Sequence, residues 1–139
     1  MVAVNWNGKS AFTSDVPSGN NFTMDTHPDY GGENLGPTPL EAFQAALAAC
    51  TAIDVISILQ KKKQVVTSYR VEVSGNRPPI GEFPRPFKNI SVRHILTGEN
   101  LDPIAVARAI ELSDQKYCSV SATLCEAPPI ESEWTIAPA

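Results

Sequence analysis

The stretch that most constrains this chain is Thr38-Pro39-Leu40-Glu41-Ala42-Phe43-Gln44-Ala45-Ala46-Leu47-Ala48-Ala49-Cys50-Thr51-Ala52-Ile53-Asp54-Val55-Ile56-Ser57-Ile58-Leu59. Its start signals agree with one another. Thr38 is a capping residue, and Pro39 suits the first helical position, where its missing N–H costs nothing. Glu41 follows three residues after Thr38 and completes a Thr-x-x-Glu capping box. From Phe43 to Leu59 apolar residues fill nearly every side. A helix apolar all round belongs inside a domain or at an interface. At roughly 1.5 Å per residue it spans about 33 Å, the width of a small domain.

The chain has 139 residues, which predicts one domain covering 1–139 around a moderate core. A net charge of −4 gives no footprint for nucleic acid. The one basic run, Lys61-Lys62-Lys63, ends the central helix, where it complements the macrodipole. Met1-Val2-Ala3-Val4-Asn5-Trp6-Asn7 lacks the cationic start and apolar run of a signal peptide. Gln44, Asp54 and Ser57 make the central helix too polar for a membrane span. Three cysteines without framework spacing fit a reducing compartment, so the expected location is the cytoplasm, with no membrane partner.

In chain order, Val2, Val4 and Trp6 alternate with Ala3, Asn5 and Asn7, and Asn7-Gly8 is a hairpin signal. Ser10 to Thr13 reads as the returning strand. After the turn at Pro17-Ser18-Gly19-Asn20 a third strand is expected near Asn21 to Asp25, completing a meander. His27 to Pro37, rich in Gly and Pro, is a loop leading into the helix. Strands are expected where Tyr69, Val71 and Val73 alternate with polar residues, and at Asn89 to Leu96. Asn76 to Pro86, with its prolines, connects them. Asp102-Pro103 repeats the cap-then-proline signal and opens a second helix with Val106, Ile110, Ser113 and Tyr117 on one stripe. Ser119 to Leu124 reads as a short helical piece, and Ile130 to Ile136 as a closing strand. The fold class is therefore α+β, a mostly antiparallel sheet packed on a long central helix.

Cys50 is the first candidate for chemistry, although a small buried apolar role suits its alanine surroundings equally. The thiolate is the reactive form, and the helix dipole fades well before a residue three turns in. Glu41 lies nine residues earlier, half a turn out of phase at about 100° per residue, and points away. Asp54, four residues on, shares the face of Cys50, and its carboxylate raises a nearby thiol pKa. An activating cation must come from elsewhere: Lys9, Arg70, Arg93, Arg108 or a partner chain. Cys118 is the second candidate. A thiolate that attacks a peroxide becomes a sulfenic acid, and a second thiol condenses with it. Whether Cys118 is raised or lowered depends on whether it ends one helix or starts another. Cys125 reads as incidental, and His94 as a hydrogen-bonded core histidine. No pair among Cys50, Cys118, Cys125, His27 and His94 has metal-ligand spacing, and no phosphate loop or dinucleotide fingerprint is present.

Together, Gly31-Gly32-Glu33-Asn34-Leu35-Gly36-Pro37-Thr38-Pro39-Leu40-Glu41, Ala48-Ala49-Cys50-Thr51-Ala52-Ile53-Asp54-Val55 and Lys116-Tyr117-Cys118-Ser119-Val120-Ser121 resemble the OsmC/Ohr family, the osmotically inducible protein C and organic hydroperoxide resistance proteins. The resemblance implies an OsmC-like fold and an intertwined homodimer with central helices at the interface. It implies a thiol peroxidase of the oxidative stress response that reduces organic hydroperoxides, with Cys50 matching the peroxidatic and Cys118 the resolving position. It implies no metal or bound cofactor, and electrons from an external dithiol. Two departures point to the OsmC-like branch. No Arg precedes Arg70, leaving Lys9 as the only early cation, and Lys lacks the bidentate fork of Arg. Leu40 stands directly after the helix-opening Pro, where the peroxidases carry Glu; Glu41 follows it. Glu41, Asp54 and Lys9 are thus accessory candidates. The alternative function is a non-enzymatic dimer that binds a small molecule.

Overall fold

The computed structural model describes residues 1–138. It is α+β, with antiparallel strands and one long helix. Strands β1 (Ala3–Trp6), β2 (Phe12–Asp15) and β3 (Thr23–Met24) form a three-stranded sheet in that order. Trp6 faces Phe12 in the first pair, and Phe12 faces Met24 in the second. The meander is as the turn signals require: Gly8 turns the first hairpin at φ 97° and Gly19 closes the second turn at φ 77°.

Helix α1 runs Pro39–Lys61. The expected capping box is present in both halves: Glu41 N–H donates to Thr38 Oγ1 at 3.2 Å, and Thr38 N–H donates to Glu41 Oε2 at 3.1 Å. Each closes a donor that the first helical turn leaves unpaired. The helix is not buried all round, as its composition implies. Leu47, Thr51, Val55 and Leu59 form a buried stripe at four-residue spacing, whereas Ile53 is 66% exposed and Ala45, Ala46 and Ala49 lie open. The chain therefore covers one face of α1 only. Its mean hydropathy and length would let it cross a membrane, yet Thr51 and Asp54 are hydrogen-bonded to another part of the chain, as in the core helix of a globular protein.

Strands β4 (Val65–Asn76) and β5 (Asn89–Glu99) pair as a long hairpin; β4 reaches further at both ends than its alternation indicates, and β5 starts at Asn89 as expected and runs on past Leu96. Helix α2 (Pro103–Leu112) opens as expected, with the Asp102 carboxylate accepting from Ile104 N–H at 2.9 Å. A π-helical turn, Ser113–Tyr117, follows directly, and helix α3 (Ser119–Glu126) after it. In α2 the buried residues are Ala105 and Ala109, one position before the expected Val106 and Ile110, while Ser113 is buried as the stripe requires and Tyr117 is exposed. Small side chains let the helix approach its neighbours closely, so the alanines turn inward and Val106 and Ile110 flank them. The closing strand at Ile130 to Ile136 does not form. A strand needs a ladder partner, and the strands among the described residues pair as β1-β2-β3 and β4-β5.

The chain falls into two compact units. The first holds Met1–Ala49 and Ser68–Leu96; the second holds Cys50–Thr67 and the residues from Thr97 onward. In the first, the buried Asp25 carboxylate binds the loop before α1 to the meander. It accepts from Ser10 Oγ at 2.7 Å, Thr26 N–H at 2.7 Å, Glu33 N–H at 2.9 Å and Leu35 N–H at 3.3 Å. These donors, Ser10 foremost, hold its pKa down to about 2. The loop lies so close that a Cβ on Gly32 would sit 1.9 Å from the Thr26 carbonyl oxygen, and one on Gly36 1.9 Å from that of Thr23. Only glycine fits where two backbones approach this closely.

Candidate functional site: a thiol pair beside a carboxylate

Within the second unit, the chain brings together Cys50, Cys118 and Asp54. Cys50 is half-buried on α1, and Cys118 is 2% exposed. The π-helical turn determines where Cys118 sits. Its N–H donates to the Ser113 carbonyl at 2.8 Å, which ends that turn and places the residue at the N-cap of α3. Turns of this type recur at functional sites. Cys118 Sγ then accepts from Ser121 N–H at 3.4 Å, as a capping side chain does.

The cap position alone would lower the Cys118 pKa, because a helix N-terminus favours the thiolate. The net shift is upward. Burial is the largest cause, and it outweighs the Ser121 N–H. The neighbouring Cys50, towards which the Cys118 thiol donates, adds to the rise, and the Asp54 carboxylate adds further. Cys118 is therefore a protonated thiol at neutral pH, in hydrogen-bonding reach of a second sulfur.

Asp54 is held from across the unit. Ser113, fully buried, places its hydroxyl 2.9 Å from Thr51 Oγ1, 3.2 Å from Asp54 Oδ2 and 3.4 Å from the Thr51 carbonyl. A serine hydroxyl has one proton to give. Of the two partners that can only accept, the carboxylate is closer than the Thr51 carbonyl and is charged, and charge-assisted hydrogen bonds are the stronger ones. The Ser113 proton goes to Asp54, and Thr51 donates to Ser113. The hydroxyls form a directional chain ending at the carboxylate. Beyond Asp54, a cavity of about 360 Å³ runs down the same helix face, lined by Ser57, Ile58, Lys61, Lys62, Leu112 and Tyr117. Lys61 and Lys62 thus border a cavity as well as ending the helix.

The other accessory candidates have partners of their own. Lys9 pairs with Glu33 at 2.9 Å on the surface of the first unit, and Glu41 is engaged in the capping box. Among the cations considered, Arg70 pairs with Glu72 at 2.9 Å and Arg108 with Glu111 at 2.7 Å. His94 Nδ1 lies 2.7 Å from the Tyr69 hydroxyl, with the two rings stacked, the hydrogen-bonded histidine expected. Cys125 is exposed. Among the described residues no group of His, Cys, Asp and Glu has metal-site geometry. Sequence reasoning missed Thr51 and Ser113 as parts of the site. Ser113, a polar residue on a stripe expected to be apolar, was the available signal.

The profile of the OsmC-like protein family matches residues 31–133. Protein YhfA of Escherichia coli (strain K12) is 38% identical over 136 residues, covering 98% of this chain and 97% of YhfA. The crystal structure of a hypothetical protein from Aquifex aeolicus VF5 superposes with a TM-score of 0.76 at 27% identity, over 91% of this chain and 87% of that one. An organic hydroperoxide resistance protein OsmC from Legionella pneumophila shares the fold, with a TM-score of 0.64 at 14% identity over 89% and 87% of the two chains. With most of the chain matched to the family profile and a full-length relative at this identity, the chain belongs to the OsmC-like protein family.

Proposed function

We propose that the protein is a cytoplasmic, homodimeric thiol peroxidase that reduces organic hydroperoxides. The observation that carries the reading is the nearness of the two thiols: Cys118, buried at the N-cap of α3 and held protonated, interacts with the more exposed Cys50. Cys50 is the sulfur a substrate meets first. Its thiolate attacks the peroxide, the O–O bond breaks, the alcohol leaves with a proton, and Cys50 becomes a sulfenic acid. Cys118 attacks that sulfur, the S–O bond breaks, and a disulfide and water form. An external dithiol returns both sulfurs to thiols by exchange. The hydroperoxide resistance name of the Legionella relative is in keeping with this chemistry. A dimer accounts for the open face of α1 and for the exposure of Val4, Trp6, Ile53, Trp134 and Ile136, more apolar surface than a monomer tolerates.

One observation favours a second reading, a dimer that binds a small molecule without turning it over. The groups that raise the Cys118 pKa include Cys50 and the Asp54 carboxylate, with no cation among them, and a cavity adjoins Asp54. Consumption of cumene hydroperoxide with excess dithiothreitol separates the two. The peroxidase reading expects turnover by the wild type and a fall to the buffer rate in Cys50→Ser. Equal rates in the two proteins overturn it and leave the binding reading.

A further inference from the structure

Resolution of the sulfenic acid presents a proton problem. Cys118 must lose its proton as its sulfur attacks Cys50, yet burial and its neighbours keep that proton in place. Solvent is not at hand, since the residue is 2% exposed. The departing oxygen needs a proton at the same moment, because hydroxide is a poor leaving group and water a good one. One group within the unit has the chemistry to serve both ends. Asp54 shares the α1 face of Cys50, one turn further on. Its negative charge acts on Cys118, and its carboxylate is aimed by Ser113, whose own carbonyl holds the Cys118 N–H.

We propose that Asp54 carries the proton of the resolving step, accepting it from the Cys118 thiol and delivering it to the oxygen that leaves Cys50. The balance is complete within the site. The S–S bond forms, the S–O bond breaks, the Cys118 proton passes by way of Asp54 to the leaving oxygen, and water departs. Asp54 ends the step as it began, as a carboxylate. The oxidant is the organic hydroperoxide consumed in the preceding step, so this role rests on the peroxidase reading. It also gives a reason for a carboxylate beside a nucleophilic sulfur. The charge is unfavourable to a Cys50 thiolate, and its use comes only after that thiolate has reacted. Ser113 and Thr51 are positioning residues: they hold the carboxylate through one directed hydrogen bond, and Oδ1 takes no part in that bond.

The test is a single turnover with one equivalent of cumene hydroperoxide and no reductant. Cys50 sulfenate is trapped with dimedone, and the Cys50–Cys118 disulfide is followed by mass spectrometry. In Asp54→Asn the sulfenate is expected to form at least as fast as in the wild type, then to persist, with disulfide formation slowed roughly 100-fold, the usual contribution of a positioned proton-transfer group. Asp54→Glu, which keeps a carboxylate, and Asp54→Ala supplied with formate are expected to recover part of that rate, which a purely structural role would not allow. Disulfide formation at the wild-type rate in Asp54→Asn overturns the proposal while leaving the peroxidase reading intact. Absence of both a Cys50 sulfenate and a Cys50–Cys118 disulfide in the wild type overturns both.

Discussion

Asp25 and Asp54 are carboxylates of the two compact units, and their surroundings differ in how many donors reach them. Asp25 accepts from a hydroxyl and three backbone N–H groups. Asp54, among the described residues, accepts from the Ser113 hydroxyl. A carboxylate has about four lone-pair sites. Those of Asp25 are committed, and its proton affinity is correspondingly low. Those of Asp54 are not, and its charge acts on the Cys118 thiol. A saturated carboxylate is a fastening; an unsaturated one next to titrating thiols is available for chemistry. The same residue type serves opposite ends because of what the backbone presents to it.

The comparison is broken most directly at Asp25, where the largest effect is expected. With four donors facing it, Asp25→Asn turns an amide N–H₂ towards N–H groups and loosens the loop from Thr26 to Pro37. The pH dependence has a definite sign. The folded pKa is about 2 and the unfolded value about 3.9, so the contribution is complete above about pH 4 and is lost as pH falls through about 2. Urea midpoints measured from pH 6 down to pH 2 are expected to differ most between wild type and Asp25→Asn at the upper end and to converge at the lower. Parallel curves would mean that the carboxylate charge is not what the donors stabilise.

Ser113→Ala probes the other side. It deprives buried Thr51 of its hydroxyl partner and Asp54 of its donor, and unsatisfied buried groups cost about 2 kcal/mol. Equilibrium urea unfolding checks this. Thr51→Val combined with Ser113→Ala is expected to cost less than the two single changes added, because the residues share one hydrogen bond. Strict additivity would show that the directed chain from Thr51 to Asp54 is not a unit.

How far the sequence revealed these regions follows from the range of the interactions. The capping box at Thr38 and Glu41, the Asp102-Pro103 helix start and the Asn7-Gly8 hairpin are local, and local rules read them correctly. The Asp25 fastening was invisible because its donors, Ser10, Thr26, Glu33 and Leu35, come together only when the meander folds. Ile130 to Ile136 has strand alternation, but alternation describes which faces a strand would show and cannot supply a neighbour to pair with. The inward face of α2 was placed one residue off because bulk was weighed above fit, and the alanines Ala105 and Ala109 take the tight side. As for Cys50 and Cys118, residue reasoning left each a choice between core and chemistry, and family resemblance joined them. Their contact depends on a π-helical turn for which no propensity rule exists.

The smallest effect belongs to Thr38, at the start of the helix that passes from the first unit into the second at Cys50. Thr38→Ala removes one cap hydrogen bond and leaves Glu41 half of its box, which costs about 1 kcal/mol. Glu41→Gln keeps an acceptor and is expected to cost only a few tenths, since an exposed cap charge contributes little more than its hydrogen bond. Cap effects fade within the first turn, and Cys50 lies about three turns on. The rate at which the Cys50 thiol reacts with iodoacetamide under native conditions is therefore expected to be the same in wild type, Thr38→Ala and Glu41→Gln, while the urea midpoint of Thr38→Ala falls. A change in thiol reactivity on removing the cap would mean that Glu41 reaches the chemistry of the second unit after all, and that the division between a fastening half and a reacting half is wrong at the one element they share.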